Sequence, residues 1–139
     1  MLRNQLKQNS LAIISLVVAL SALSYNTWRN ELTESNRNVR AAGFEILVHL
    51  SKLRRIAYLA HYDQDKQNGN PRSGWTEVLV LGDFSNLMPE PLPDSARKLF
   101  IAWRDNWADL ETDEIAVAII DNAINDMRKE VALSLNRLK

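Results

Sequence analysis

The most prominent feature of the hydropathy pattern is a stretch without charged residues from Gln8 to Trp28, which contains the apolar run Leu11–Tyr25. At about 1.5 Å per helical residue, a stretch of this length reaches across the ~30 Å hydrocarbon core of a bilayer. We therefore predict a membrane-spanning helix near the N-terminus. The residues that follow it would form a domain held at the membrane.

The same stretch could instead be a cleaved secretory signal peptide. Arg3 and Lys7 form a charged start, and the small residues Ala22 and Ser24 precede a candidate cleavage site after Ser24. The helical pattern continues beyond that site, however, with no glycine or proline before Gly43. We therefore favour a retained signal anchor.

A stripe of mostly apolar residues with heptad spacing continues from the apolar run into the rest of the chain. This spacing predicts one long helix to about Tyr62, with the stripe packed against other helices. The stripe consists of Tyr25, Trp28, Leu32, Ser35, Val39, Ala42, Ile46, His49, Leu53, Ile56 and Ala60.

The middle of the chain is predicted to contain a loop, a short helix and a connector. The segment 63–73 is polar and contains glycine and proline, so we predict a loop there. A short helix is predicted at Trp75–Leu87, with a strand at Val78–Leu81 as the alternative, although no partner strand exists elsewhere. The segment Met88–Pro93 is predicted to be a non-helical connector, because each proline disfavours helix at the preceding residue.

Two more helices complete the predicted fold. Asp94 or Ser95 is expected to cap the third helix, which runs to about Leu110, and Thr112 is expected to cap the fourth. Four helices with short connections predict an all-α fold. In it, an N-terminal transmembrane helix continues into an antiparallel four-helix bundle.

This layout predicts three parts of the chain: an N-terminal tail and single transmembrane signal anchor at 1–28, a helical stalk at 29–40 and a helical bundle domain at 41–139. The fourth helix, at ~39 Å, is shorter than the ~55 Å of the first helix beyond the membrane, so the stalk would lack cover within the chain. We expect a second copy of the chain or a membrane-protein partner to bind Trp28, Leu32 and Val39 of the stalk. A solvated spacer is the alternative.

Charge and composition narrow the classes of function. The chain has 17 Lys and Arg residues against 17 Asp and Glu residues, and a near-neutral protein is a poor nucleic-acid binder. The absence of cysteine excludes disulfides and thiolate chemistry. A short basic tail before an apolar segment is typical of an export signal, although basic residues also follow the segment. We expect a single-pass protein of a bacterial inner membrane, with its C-terminal domain in the periplasm.

The sequence predicts no catalytic site, metal site or cofactor. Glu45 and His49 are one helical turn apart, but His61 is too far along the helix to complete a metal site with them. The loop after His61 lacks the turn glycine and the bidentate glutamate of a calcium loop. The sequence also has no phosphate-binding loop and no nucleophile with an adjacent base. We therefore expect a non-enzymatic protein.

Two sets of side chains are candidate binding residues. Arg40, Arg54 and Arg55 lie on the first helix, and arginine binds carboxylate or phosphate with two parallel hydrogen bonds. Trp103 and Trp107 share one face of the third helix and form a candidate aromatic patch. The alternatives are a solvated basic face and ordinary core packing, respectively.

In its layout, a spanning helix that runs into a helical bundle, the chain resembles the input half of bacterial membrane sensors. In those sensors, arginines of the first long helix often hold the ligand. The resemblance covers helix order and no specific motif, so it assigns no residue of this chain to that role. The sequence has no second apolar span, so we do not expect it to transmit a signal alone. We favour an interaction or accessory subunit at the membrane, with an extracytoplasmic, sensor-like module for a small anionic ligand as the alternative.

Overall fold

The structure is a computed structural model that describes residues 9–138. This part of the chain is all-helical, with four α-helices and no strand, which confirms the all-α part of the predicted fold; the Val78–Leu81 segment lies in a helix. The basic residues Arg3 and Lys7 lie outside the described residues. The helices are α1 (Ser10–His61), α2 (Pro71–Ser85), α3 (Leu92–Asn106) and α4 (Glu114–Arg137), with a 3-10 turn at Trp107–Asp109 after α3.

Helix α1 is continuous over 52 residues and ends within one residue of the predicted position. Its N-terminal part is long and apolar enough to cross a membrane, and none of that apolar window is buried inside the protein. Length and composition are the only grounds for this assignment. A signal sequence near the N-terminus meets the same criteria.

Helix α2 begins earlier than predicted, because Pro71 starts the helix instead of belonging to the loop. The Asn70 side chain accepts a hydrogen bond of 3.0 Å from the backbone N–H of Arg72 and caps the helix. Proline fits the first helical position because its missing N–H would have no partner there. The predicted loop to Ser73 was therefore too long by three residues.

Helix α3 also begins before its predicted cap, so the prediction of Asp94 or Ser95 as the N-cap was wrong. The helix starts at Leu92, and Asp94 lies in its first turn. Ser95 Oγ donates a 3.1 Å hydrogen bond to the carbonyl of Pro91, one turn earlier. The regular helix ends at Asn106 rather than near Leu110.

The N-cap of α4 is Asp113 rather than the predicted Thr112. Asp113 Oδ1 accepts a 2.8 Å hydrogen bond from the backbone N–H of Ile115. Aspartate and threonine are both good N-capping residues, so the sequence alone did not show which of the two adjacent residues caps the helix.

The described chain consists of two compact units, one that ends at Asn36 and one that begins at Arg37. The second unit contains a hydrophobic core with residues from all four helices. Its largest fully buried side chains are Ile46, Leu50 and Leu53 from α1, Leu81 from α2, Leu92, Leu99 and Trp103 from α3, Leu110, and Ile120, Ile124, Met127 and Val131 from α4.

Polar contacts show that α1 and α4 run in opposite directions. Arg128 Nη2 donates a 3.0 Å hydrogen bond to Ser51 Oγ, and Arg54 forms an ion pair of 2.7 Å with Asp121. Later residues of α1 thus meet earlier residues of α4. These contacts position the side chains of both helices that line the candidate sites.

Candidate functional site

The three predicted partner-binding residues of the stalk have different surroundings. Trp28 is 58% exposed and Leu32 is 47% exposed, both in the first unit of the chain. Val39, in the second unit, is half-buried and packs against the hydrophobic core. The uncovered part of the stripe therefore ends between Leu32 and Val39.

The Arg54 side chain is held by two side chains of α4. Its Nε atom lies 2.7 Å from Asp121 Oδ1 as an ion pair, without the alignment of a hydrogen bond. Its Nη2 atom donates a hydrogen bond to Asn125 Oδ1, and Asn125 Nδ2 donates one of 3.1 Å to Asp121 Oδ2. Asp121 neutralises the guanidinium charge, so Arg54 is less suited to hold a ligand than an unpaired arginine.

Tyr58 is next to this network and stays protonated. Burial, followed by the hydrogen bond to Asp121 and its negative charge, raises the pKa of the Tyr58 phenol above its usual value of 10.0. The phenol is therefore neutral near pH 7 and cannot act as a phenolate base there.

Arg40 and Arg55 are both exposed, but the structure does not bring them together. They are separated by about 22 Å along α1. Neither of them forms an ion pair with another residue of the described range. Arg55 instead lies beside Lys52 of α1 and Arg128 of α4, at the surface of a groove.

This groove, which we call the α1–α4 groove, has a volume of about 530 Å³. Sequence reasoning grouped Lys52 with Arg55 but missed the apolar residues of the groove. It also missed Arg128, which is remote in sequence and comes close only through folding. A second stripe at helical spacing, formed by Phe44, Val48, Ser51 and Arg55, is the sequence signal that could have indicated it. The groove is lined by Phe44, Leu47, Val48, Ser51, Lys52, Arg55 and Arg128.

The two tryptophans of the candidate aromatic patch are packed inside the domain to different degrees. Trp103 is fully buried, and its ring lies directly against Gly74 of α2. Trp107 is half-buried, and its ring centroid lies 6.1 Å from that of Trp75, which in turn lies 5.6 Å from Phe100. These contacts favour core packing over a surface patch, and Trp103 cannot touch a partner in this conformation.

His49 connects α1 to α2 through its contact with Glu77. Its Nδ1 atom lies 2.5 Å from Glu77 Oε2, whereas its Nε2 atom is 3.9 Å from Glu45 Oε2. The Phe84 ring stacks on the imidazole, with the centroids 6.0 Å apart. Across residues 9–138, no group of three or more histidine or acidic side chains is arranged to hold a metal ion.

Comparison with known proteins finds no matching family model. No curated protein sequence and no solved structure matches the chain either. The surfaces described above are therefore the basis for assigning a function.

Proposed function

We propose that this chain is a membrane-anchored, non-enzymatic helical protein that acts as an interaction or accessory subunit at the membrane. The apolar part of α1 would serve as a signal anchor, with the remaining domain in the periplasm of a bacterium. The observation that carries the proposal is the exposure of Trp28 and Leu32 on α1. They continue a stripe that is buried or half-buried from Val39 to Ala60.

We infer that the second unit is an antiparallel four-helix bundle. The opposite directions of α1 and α4 support this inference, and α2 and α3 show the same relation, since Gly74 meets Trp103 and Trp75 meets Phe100. Short connections between consecutive helices also favour an up-and-down arrangement.

The exposed stripe is suited to packing against another helix. Its residues alternate at intervals of three and four, which is the spacing of a coiled-coil seam. Burial of a large apolar side chain in an interface stabilises that interface by about 1.5–3 kcal/mol. The polar residues around Leu32 add little stability to an isolated helix, so this part of α1 gains by packing against a partner. The partner we propose is therefore a helix, either of a second copy of this chain or of another membrane protein.

Replacing Leu32 with aspartate tests this proposal. We expect Leu32→Asp to reduce association in membranes at least about tenfold, because the seam would then have to bury a charge. The unfolding midpoint should change little, since Leu32 lies outside the core. Association is measured by chemical crosslinking in membranes, and unfolding by tryptophan fluorescence.

The matched control is Asn30→Asp, which adds the same charge at an exposed position. Asn30 is rotated about 200° around the axis of α1 from Leu32. Equal association of the two variants would contradict the proposed seam. Val39 is unsuitable for this test because it packs against the core, and its replacement would also affect folding.

A second candidate function is the binding of a small anionic ligand by a sensor-like domain. It is favoured by the α1–α4 groove, where Lys52, Arg55 and Arg128 lie together. Thermal unfolding of the full chain with a panel of carboxylates and phosphates tests it, because a ligand that binds the folded state raises the melting temperature. An unchanged melting temperature across the panel would contradict it.

A further inference from the structure

The α1–α4 groove separates its apolar and cationic residues along its length. Phe44, Leu47 and Val48 line one end, whereas Lys52 and Arg55 lie toward the other. The span from the first to the last of these residues is about 16 Å along α1. This separation matches a ligand with an apolar tail and a charged head.

The apolar end offers an uncovered surface for a hydrocarbon chain. Phe44 is 56% exposed and Val48 is 49% exposed, while Leu47 packs against the core beneath them. Small-molecule sites commonly occupy 300–1,000 Å³ and combine apolar walls with a few polar groups. The groove, at about 530 Å³, lies within this range.

The other end of the groove is lined by cationic side chains. Three of the lining residues, Lys52, Arg55 and Arg128, are basic, and none is acidic. Arg128 is oriented by its hydrogen bond to Ser51, and its Nε atom is buried without a hydrogen-bond partner in the described part of the chain. An anionic group placed here would meet two guanidinium groups capable of bidentate hydrogen bonds.

We propose that the α1–α4 groove binds a free single-chain amphiphile with one carboxylate headgroup, that is, a fatty-acid-like ligand. The tail lies on Phe44 and Val48, and the carboxylate lies among Lys52, Arg55 and Arg128. This inference rests on the second candidate function, which requires only an anion, and adds the requirement for an apolar chain. It does not depend on the seam at Leu32.

Photolabelling of the full chain in phosphatidylcholine nanodiscs tests the proposal. The probe is dodecanoate carrying a diazirine, and mass spectrometry identifies the labelled residues. We expect labelling between Phe44 and Arg55 that unlabelled dodecanoate removes. Dodecanol lacks the carboxylate and acetate lacks the tail, so neither should compete well.

Variants of exposed groove residues define both ends of the site. The double variant Lys52→Gln/Arg55→Gln should lower groove labelling about tenfold, equivalent to ~1.4 kcal/mol. The variant Phe44→Ser should lower it as well, because the tail loses its contact. The matched controls lie outside the groove: Lys66→Gln/Arg72→Gln for charge and Leu79→Ser for an exposed apolar residue, and they should label like the unchanged protein.

Three results would overturn the proposal in distinguishable ways. Competition by acetate as strong as that by dodecanoate would support anion binding alone, so the second candidate function would survive without the amphiphile. Labelling confined to the apolar run 11–25 would reflect partition into the bilayer. Groove labelling by a photoreactive phosphatidylglycerol in the nanodisc, but not by free dodecanoate, would assign the surface to membrane lipid.

Discussion

Replacing Gly74 with alanine is expected to lower the free energy of unfolding by roughly 3 kcal/mol. A Cβ atom at this position would lie 2.1 Å from Cζ2 and 2.4 Å from Cη2 of Trp103, far inside van der Waals contact. The Trp103 ring is fully buried, so it cannot move aside without displacing the core around it. Alanine favours helix over glycine by about 1 kcal/mol, which offsets only part of the clash.

Urea unfolding of the full chain in a nonionic detergent, followed by tryptophan fluorescence, measures this effect. The matched control is Gly82→Ala in the same helix, where a Cβ atom would have no neighbour within 4 Å. We expect this control to be stabilised by up to about 1 kcal/mol. Equal stability of Gly74→Ala and Gly82→Ala would contradict the close packing of α2 against Trp103.

A smaller ring at Trp103 should partly rescue the Gly74 variant. The change Trp103→Phe removes distal ring atoms that would clash, and it also removes an indole N–H that has no hydrogen-bond partner among the described residues. The double variant Gly74→Ala/Trp103→Phe should therefore be more stable than the sum of the two single effects predicts. If the effects of the two single variants simply add, the destabilisation by Gly74→Ala does not come from a clash with the Trp103 ring.

Replacing Gly69 with alanine is expected to have an effect of similar size, roughly 3 kcal/mol. Its Cβ atom would lie 2.4 Å from the backbone N of Ala60, 2.6 Å from the carbonyl carbon of Leu59 and 2.8 Å from the carbonyl oxygen of Asp65. All three are backbone atoms, so no side-chain rotation relieves the clash. The loop would have to move away from the end of α1.

The same urea titration tests this prediction, with Gly82→Ala again as the control. Amide hydrogen exchange adds a local readout. The N–H of Asp65 bonds to the carbonyl of Leu59 at 3.0 Å, and the N–H of Gly69 bonds to the carbonyl of Asp65 at 2.8 Å. Both amides should exchange faster in Gly69→Ala. Unchanged exchange with an unchanged midpoint would contradict the packing of this loop on α1.

The helices could be predicted from the sequence because their signal is local. A stripe at intervals of three and four, without glycine or proline before Gly43, predicted α1 to within one residue of its end. Helix starts were less accurate. Proline occurs both after the end of a helix and at the first position of a helix. Pro71 was therefore assigned to the loop, although it is the first residue of α2.

The candidate sites could be predicted only in part, because they depend on residues brought together by folding. Arg54 was a reasonable anion ligand from composition, but Asp121, about 70 positions away in sequence, already neutralises it. Arg128 joins the α1–α4 groove in the same way. The consequence of a side chain at Gly74 depends on Trp103, a neighbour in another helix that no local pattern reveals.

We propose that the exposed stripe of α1 binds a partner helix. The most direct test of this proposal is a photoreactive residue placed at Leu32, with crosslinking in native membranes and identification of the products by mass spectrometry. We predict a near-stoichiometric crosslink, either to a second copy of this chain or to one other membrane protein. If neither the probe at Leu32 nor a control probe at Asn30 gives a crosslink, the proposal is contradicted and the stalk is a spacer.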